Sequence, residues 1–402
     1  MLCLLSACCL QASGQNSIAD TIGQLNKTSL DTTKQKDLID ILYYILRKDP
    51  SKRVDAAQVK PGRIYFSGSP SIAYSLQTGF TALFAGNFAF YKGNQNTTKI
   101  SSVILDVDYT QKNQLLVPIA SSIWSKDNQY NFIGDWRYLK YPETIYGIGG
   151  YTTEADAYTV DYDYLRFYQY VLKKLGSDFY GGLGVQFDRH FDIEEQGVSA
   201  GRVTDFDKYG FSGTSTSSGI AANFLYNNVK NSINPEGGLY ANVIFRQNFT
   251  WLGSDKNWNS ALIDVRKYFQ VGHKGNILAF WTYDWLTLSG NPPYLDLPSN
   301  GWDTYANTGR GYIKSRFAGK KMVYLESEYR FGITKNGLLG GVVFANAASF
   351  TEFNNTFQVI EPAAGAGLRI KFNKFSRTNI AADYGVGKNG SHGFFFSLGE
   401  VF

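Results

Sequence analysis

Two periodicities divide the chain. Between residues 35 and 50, Leu38, Ile39, Ile41, Leu42, Ile45 and Leu46 recur at helical spacing. Thr32-Thr33-Lys34-Gln35 has the form of a capping box ahead of them, and Asp49-Pro50 supplies a stop. The pattern predicts one amphipathic helix of about four turns, docked at the mouth of a larger body, lying on a membrane face, or acting as a plug. A polar linker follows through Pro61-Gly62.

From Ala73 to Phe402 the period is two. Val103, Leu105, Val107 and Tyr109 fall on one face, against Ser102, Ile104, Asp106 and Asp108. Leu239, Ala241, Val243, Phe245 and Phe249 alternate with Tyr240, Asn242, Arg246 and Asn248. Ala261, Ile263, Val265 and Phe269 oppose Ser260, Asp264 and Arg266. An apolar face backed by charges is what a strand needs when one side meets lipid and the other lines a polar lumen. A soluble antiparallel sandwich also alternates, but it would bury its apolar face without so many Tyr and Phe.

Strands are predicted at 73–91, 98–110, 114–125, 129–140, 157–174, 178–192, 217–228, 238–250, 258–270, 275–289, 320–334, 338–350, 360–373, 376–385 and 392–402. That is one short of an even number, and bacterial single-chain barrels are even. Either one strand is missed or two are merged, most readily within 141–156 or 195–216. The fold class is therefore all-β: a closed transmembrane antiparallel barrel of sixteen strands over 71–402, with a short periplasmic helix in 15–70.

Composition agrees. The chain has 28 Tyr, 29 Phe, 7 Trp and 41 Gly against 10 Pro, the bias of strands and interfacial girdles. No run of 18 apolar residues offers a membrane-spanning helix. The net charge of +5 is mild and scattered, which argues against nucleic-acid binding. Residues 1–14 read as a signal peptide with Ala12-Ser13-Gly14 before Gln15. Leu5-Ser6-Ala7-Cys8 offers the alternative of lipidation at Cys8. All cysteines (Cys3, Cys8, Cys9) lie in this stretch, so its removal leaves no disulfide, thiolate ligand or cysteine nucleophile.

Candidate chemistry is sparse. His190, His273 and His392 stand alone, without a second His or Cys at ligand spacing. There is no Gly-x-Ser-x-Gly elbow. Gly365-x-Gly367 lacks the third glycine and helix of a dinucleotide site. Strand parity makes Asp106/Asp108 and Glu326/Glu328 lumen charges before catalytic dyads. The expectation is a non-enzyme with no catalytic residue, metal or cofactor. A lipase-like barrel would require a Ser–His pair that strand patterning cannot locate.

Two connections are long. Residues 193–216 are rich in Gly, Ser and Asp, and 290–319 carry Asn291-Pro292-Pro293, Gly301-Trp302, Gly309-Arg310-Gly311-Tyr312 and Arg316-Phe317-Ala318-Gly319. A loop of that length is usually functional. Gly309-Arg310-Gly311-Tyr312 resembles the Arg-Gly-Tyr/Phe tip of the long sixth loop in the BamA/TamA superfamily of bacterial surface antigen barrels. Other elements follow in the same order: Glu328-Tyr329-Arg330, Gly341-Val342-Val343-Phe344, Ala364-Gly365-Ala366-Gly367-Leu368-Arg369 and Ser397-Leu398-Gly399-Glu400-Val401-Phe402. Pro70 to Gly79 is similar to the first strand of barrel-only members. The resemblance covers 70–402 and is strongest over 300–402. The ending resembles the C-terminal strand signal of Gram-negative outer-membrane barrels, with Phe402 as its last residue, although Glu400 stands where that pattern has a hydrophobe.

The resemblance implies a loop arginine held in the lumen by an acidic partner. Where the family has Asp in the following strand this chain has Asn346. Glu328, on one face with Glu326 and Arg330, is then the expected partner of Arg310, with Asn346 as a neutral acceptor. Without that context Arg310 reads as an ordinary solvent-exposed loop residue. Residues 15–70 are too short for a POTRA repeat, which puts insertase activity in doubt. The functions implied are outer-membrane protein assembly or translocation, with outer-membrane lipid and other outer-membrane or periplasmic subunits as partners. A diffusion pore or transporter, or a structural subunit, is the alternative.

Overall fold

The computed structural model describes residues 35–50, 62–75, 79–210, 213–229, 231, 233–272, 275–304, 306–374 and 377–402. The signal-peptide or lipidation segment, the three cysteines and Thr32 to Lys34 lie outside the described residues. Seventeen strands are present among those described, all joined antiparallel. They are β1 (Tyr65–Ser75), β2 (Gly79–Phe90), β3 (Ser101–Thr110), β4 (Leu115–Trp124), β5 (Tyr130–Lys140), β6 (Glu143–Ile145), β7 (Tyr158–Lys174), β8 (Phe179–Gln196) and β9 (Ser215–Asn227). Next come β10 (Gly238–Asn248), β11 (Trp258–Gln270), β12 (Ile277–Gly290), β13 (Lys321–Gly332), β14 (Leu339–Phe350), β15 (Glu361–Asn373), β16 (Thr378–Gly387) and β17 (His392–Leu398). Successive strands form a meander.

β6 is not a separate hairpin partner. Lys140 faces Asp163 and Glu143 faces Val160 in one unbroken register against β7, and the Tyr141 N–H still donates to the Tyr162 carbonyl at 2.9 Å. Pro142, which has no N–H to give, interrupts the strand. The strand missing from the sequence reading is instead β1. Its Ser-Gly-Ser-Pro-Ser run hides the alternation, and Pro70 speaks against a strand unless it lies at an edge. The sheet thus begins at Tyr65, ahead of the boundary expected at 71.

Alternation places side chains as their polarity requires. Val107, Tyr109, Phe245, Phe269, Leu325 and Tyr329 are exposed on the outer face, while Asp106, Asp108, Arg246, Asp264, Glu326 and Glu328 are buried inside. Connections alternate between two ends. One end carries the long connections, including 291–320; the other carries the approach to β1 and residues 399–402.

The predicted helix is shorter than expected. Helix α1 spans Leu38–Ile45, about two turns, and Asp37 rather than the Thr32 region caps it in a reciprocal box with Asp40. It docks at the terminal end. Lys374 bonds Asp40 at 2.8 Å, and the Lys36 N–H reaches the Asn336 carbonyl at 3.0 Å. Leu42, Ile45 and Leu46 remain exposed. The 197–214 connection contains a short helix α2 (Asp205–Gly210).

Candidate functional site: a loop tip locked against the interior wall

The 291–320 connection is folded. Ser299 and Ala318 bridge its two limbs. The Asn300 side chain accepts from the Phe317 N–H at 2.9 Å and donates to the Ile313 carbonyl at 2.8 Å. Asp303 accepts from the Asn307 and Thr308 N–H groups at 2.8–3.1 Å. These bonds replace solvent for a backbone that enters the interior.

The tip rests on bare backbone. Gly311 has φ of 108°, and a Cβ there would lie 2.6 Å from the Cβ of Ala363. Gly385 lies opposite, where a Cβ would meet the Gly311 nitrogen at 2.8 Å. Glycine on both surfaces lets the loop touch β16 directly. Tyr312 is buried beside it; its hydroxyl donates to the Pro362 carbonyl at 2.7 Å and accepts from the Lys388 N–H at 2.9 Å.

Arg310 is 2% exposed. Its guanidinium bonds Glu328, the expected partner, and also Glu326 and Asp383, the last at 2.5 Å. The guanidinium carbon lies 3.8 Å from the centroid of the Phe344 ring. Asn346 does not accept from the guanidinium. Its amide N–H donates to the Arg310 main-chain carbonyl at 2.9 Å, which satisfies a buried backbone acceptor, while Asn346 Oδ1 and Arg310 Nε stay unpartnered.

The carboxylates continue into a closed ring. Arg330 bonds Glu328 at 2.7 Å and stands 3.7 Å from Glu400. Arg369 bonds Glu400 at 2.7 Å and Asp383 at 2.5 Å, which returns to Arg310. Charges this deep persist only when paired and hydrogen-bonded. Strand parity exposes Glu326 in the sequence, and Asp383 could have been found as the lone acid in Thr378–Gly387. Nothing local pairs either with Arg310.

Phe402 does not extend a strand. β17 ends at Leu398, Gly399 turns with φ of 103°, and residues 400–402 fold inward. Phe402 packs on Trp281, ring centroids 5.1 Å apart, and its carbonyl accepts from Arg330 at 2.7 Å. This accounts for Glu400 in an otherwise apolar ending: it faces Arg369 and Asn379, not lipid. Asn307 of the loop donates to the Val401 carbonyl at 2.6 Å, so loop and tail meet.

The ascending limb is held on the opposite wall. Buried Glu143 of β6 accepts from Trp302 at 3.0 Å, Tyr162 at 2.7 Å and Ser315. Arg316 donates to the Thr152 carbonyl at 2.6 Å.

Other candidate chemistry is set apart. His190 stacks on Tyr164, and both Ser215 (3.4 Å) and Asp296 (3.8 Å) approach the same Nδ1. A nucleophile relay needs the hydroxyl and the carboxylate on opposite ring nitrogens, so this cluster lacks that geometry. His392 lies at the exposed start of β17, and His273 is outside the described residues. Among the described residues no cluster of His, Cys, Asp or Glu has the form of a metal site, and no helix is long and apolar enough to cross a membrane.

This is the fold of the BamA and CdiB β-barrels. BamA from Haemophilus ducreyi lacking POTRA domains 1–3 matches with TM-score 0.56 and 14% identity, over 84% of this chain and 70% of that one. CdiB from Escherichia coli matches with TM-score 0.55 and 10% identity, over 83% of this chain. CdiB from Acinetobacter baumannii matches with TM-score 0.52 and 11% identity, over 84% of this chain. The chain spans 62% and 60% of those two CdiB structures. No protein-family model and no curated protein sequence matches it.

Proposed function

We propose that the chain is an outer-membrane barrel of the BamA/TamA type that acts in the assembly or translocation of outer-membrane proteins, alone or with other outer-membrane or periplasmic subunits. In this reading β5 and β6 count as one strand, β17 pairs with β1, and sixteen strands close in the lipid of a Gram-negative outer membrane. Closure satisfies the edge N–H and C=O groups that lipid cannot. The terminal end, with α1, faces the periplasm.

The observation that carries this reading is the seat of Arg310 on Glu326, Glu328 and Asp383. A simple pore has no use for a thirty-residue loop locked across its interior, whereas a protein that works on other barrel strands needs a braced lumen. The test is reconstitution of the purified chain in liposomes with an unfolded small barrel protein as substrate. Faster folding of that substrate than in empty liposomes, lost in Arg310→Ala, is the expected result. A large steady conductance with no effect on substrate folding would favour the diffusion pore and overturn the proposal.

A further inference from the structure

The loop tip and tail occupy the β13–β16 side of the interior, and the opposite side holds a cavity of about 220 Å³. Its wall runs from β3 round to β12. Trp302 and Thr304 of the loop bound it toward the loop end, and Trp124, Asn131 and Asn227 lie toward the terminal end. Apart from Ser121 and Gly134, the strand residues of the lining share the inward parity of their strands, so the cavity belongs to the sheet's own pattern.

Three properties of the lining restrict what fits. First, rigid aromatic rings of Trp124, Tyr170, Tyr240, Tyr283 and Trp285 stand in its wall among aliphatic side chains such as Ile133 and Leu225. Second, it offers unused neutral hydrogen-bonding groups. The Trp124 indole N–H, Asn223 Oδ1 and Asn242 Oδ1 are buried without a protein partner, and Trp124 and Asn223 are only 4% and 2% exposed. Third, its charges are already paired, with the three guanidinium groups of Arg137, Arg166 and Arg246 sharing the two carboxylates of Asp135 and Asp188. Arg246 bonds Asp188 at 2.6 Å, Asp135 bonds Arg137 at 2.6 Å, and Arg166 stands 3.5 Å from both aspartates.

An acidic polymer or phosphate would have to compete with Asp135 and Asp188 for guanidinium groups that already hold them. A lipid chain would leave Trp124, Asn223 and Asn242 unpaired, each at a desolvation cost. An extended peptide needs a strand edge, and the backbone here is committed to its ladders. A sugar ring fits all three conditions: its C–H face packs flat on an aromatic ring, and its hydroxyls both donate and accept around the rim. Pockets that combine apolar walls with a few convergent polar groups are the usual form of a small-ligand site. We propose that the interior cavity between β3 and β12 is a binding site for a neutral oligosaccharide. The proposal rests on the fold and cavity, not on the assembly role, and the liposome assay tests that role separately.

The test uses the full chain in an amine-oxide detergent, since sugar-headed detergents would compete. Maltoheptaose, cellohexaose and chitohexaose are titrated as neutral probes, with oligogalacturonate as the acidic comparison. Tryptophan fluorescence and calorimetry are the readouts. Saturable binding of at least one neutral probe is expected, weakened about tenfold or more by Asn242→Leu and by Trp285→Ala. Gel mobility with and without boiling should be unchanged in both variants, so that lost binding is not lost folding. Absence of binding for all three neutral probes at about 10 mM overturns the proposal. So does binding that neither substitution weakens, or a preference for the acidic glycan.

Discussion

The two sides of the interior solve one problem differently. On the β13–β16 side, polar side chains are consumed by the chain itself: Arg310 enters from the loop, Glu400 from the tail, and the ion ring has charges from both. On the β3–β12 side, ion pairs form within a strand, as Arg266 with Asp264, between neighbours, as Arg166 with Asp188, or across one intervening strand, as Arg246 with Asp188, and space remains. A strand-to-strand pair asks nothing of distant segments. The ring requires the loop, β13, β15, β16 and the tail to arrive together. The first wall is therefore a lock and the second a vestibule.

The largest effect should come from removing the lock's key. Arg310→Ala leaves Glu326, Glu328 and Asp383 short of a cation, a loss of about 3–5 kcal/mol for a broken buried pair. Trypsin should then cut after Arg316, which is buried in the intact loop. A protease-resistant Arg310→Ala variant would mean that the loop is held by Tyr312 and Glu143 alone.

Ending the chain after Gly399 removes Glu400 and the Phe402 ring and leaves Arg330 with Glu328 alone and Arg369 with Asp383 alone. A loss of about 2–3 kcal/mol is expected, read as a lower temperature for loss of the compact gel form. Membrane levels of the same variant measure recognition during assembly. A fall in level with an unchanged transition temperature would assign Phe402 to signalling and not to packing.

Glu328→Gln should cost less, about 1–2 kcal/mol, because Glu326 and Asp383 still hold Arg310. Combined with Arg310→Ala it should add little, since both changes break one network. Full additivity would show that Glu328 acts through Arg330 alone.

The loop's upper limb should respond to pH. Burial lowers the Lys314 amine from its ordinary 10.5 to about 8, against the pull of Glu143. Arg137 and Arg166 lower it further, Asp303 opposes them, and its Nζ lies over the Trp302 and Tyr141 rings. Between pH 8 and 10.5 the unfolded state binds the proton that the folded state has released, so stability rises with pH across that window. The transition temperature should increase from pH 7.5 to pH 9.5 in the wild type, about two pH units, and Lys314→Met should flatten the increase.

The smallest effect is expected in the vestibule. Asn242→Ala removes an amide whose oxygen has no partner, and stability should change by less than about 0.5 kcal/mol. A large loss there would show that this wall is as tightly committed as the other.

The sheet is readable from alternation because an exposed outer face and a buried polar interior impose opposite demands on successive residues, as Leu325 and Glu326 illustrate. β1 escaped because Ser, Gly and Pro carry no such contrast. Burial of Arg310 followed from its motif and the need of a guanidinium for a carboxylate, and Glu328 from strand parity. Asp383, Arg369 and Glu400 were out of reach: which charges meet across an interior depends on how the sheet brings β13, β16 and the last residues together. Asn346 reads from the sequence as a neutral acceptor for Arg310, whereas in the structure its amide donates to the Arg310 carbonyl, a pairing set by where the loop backbone comes to rest on β14. Phe402 is the clearest case. Its hydrophobicity is plain in the chain, but the outer face and the interior both offer an aromatic ring an apolar surface, and the turn at Gly399 decides between them.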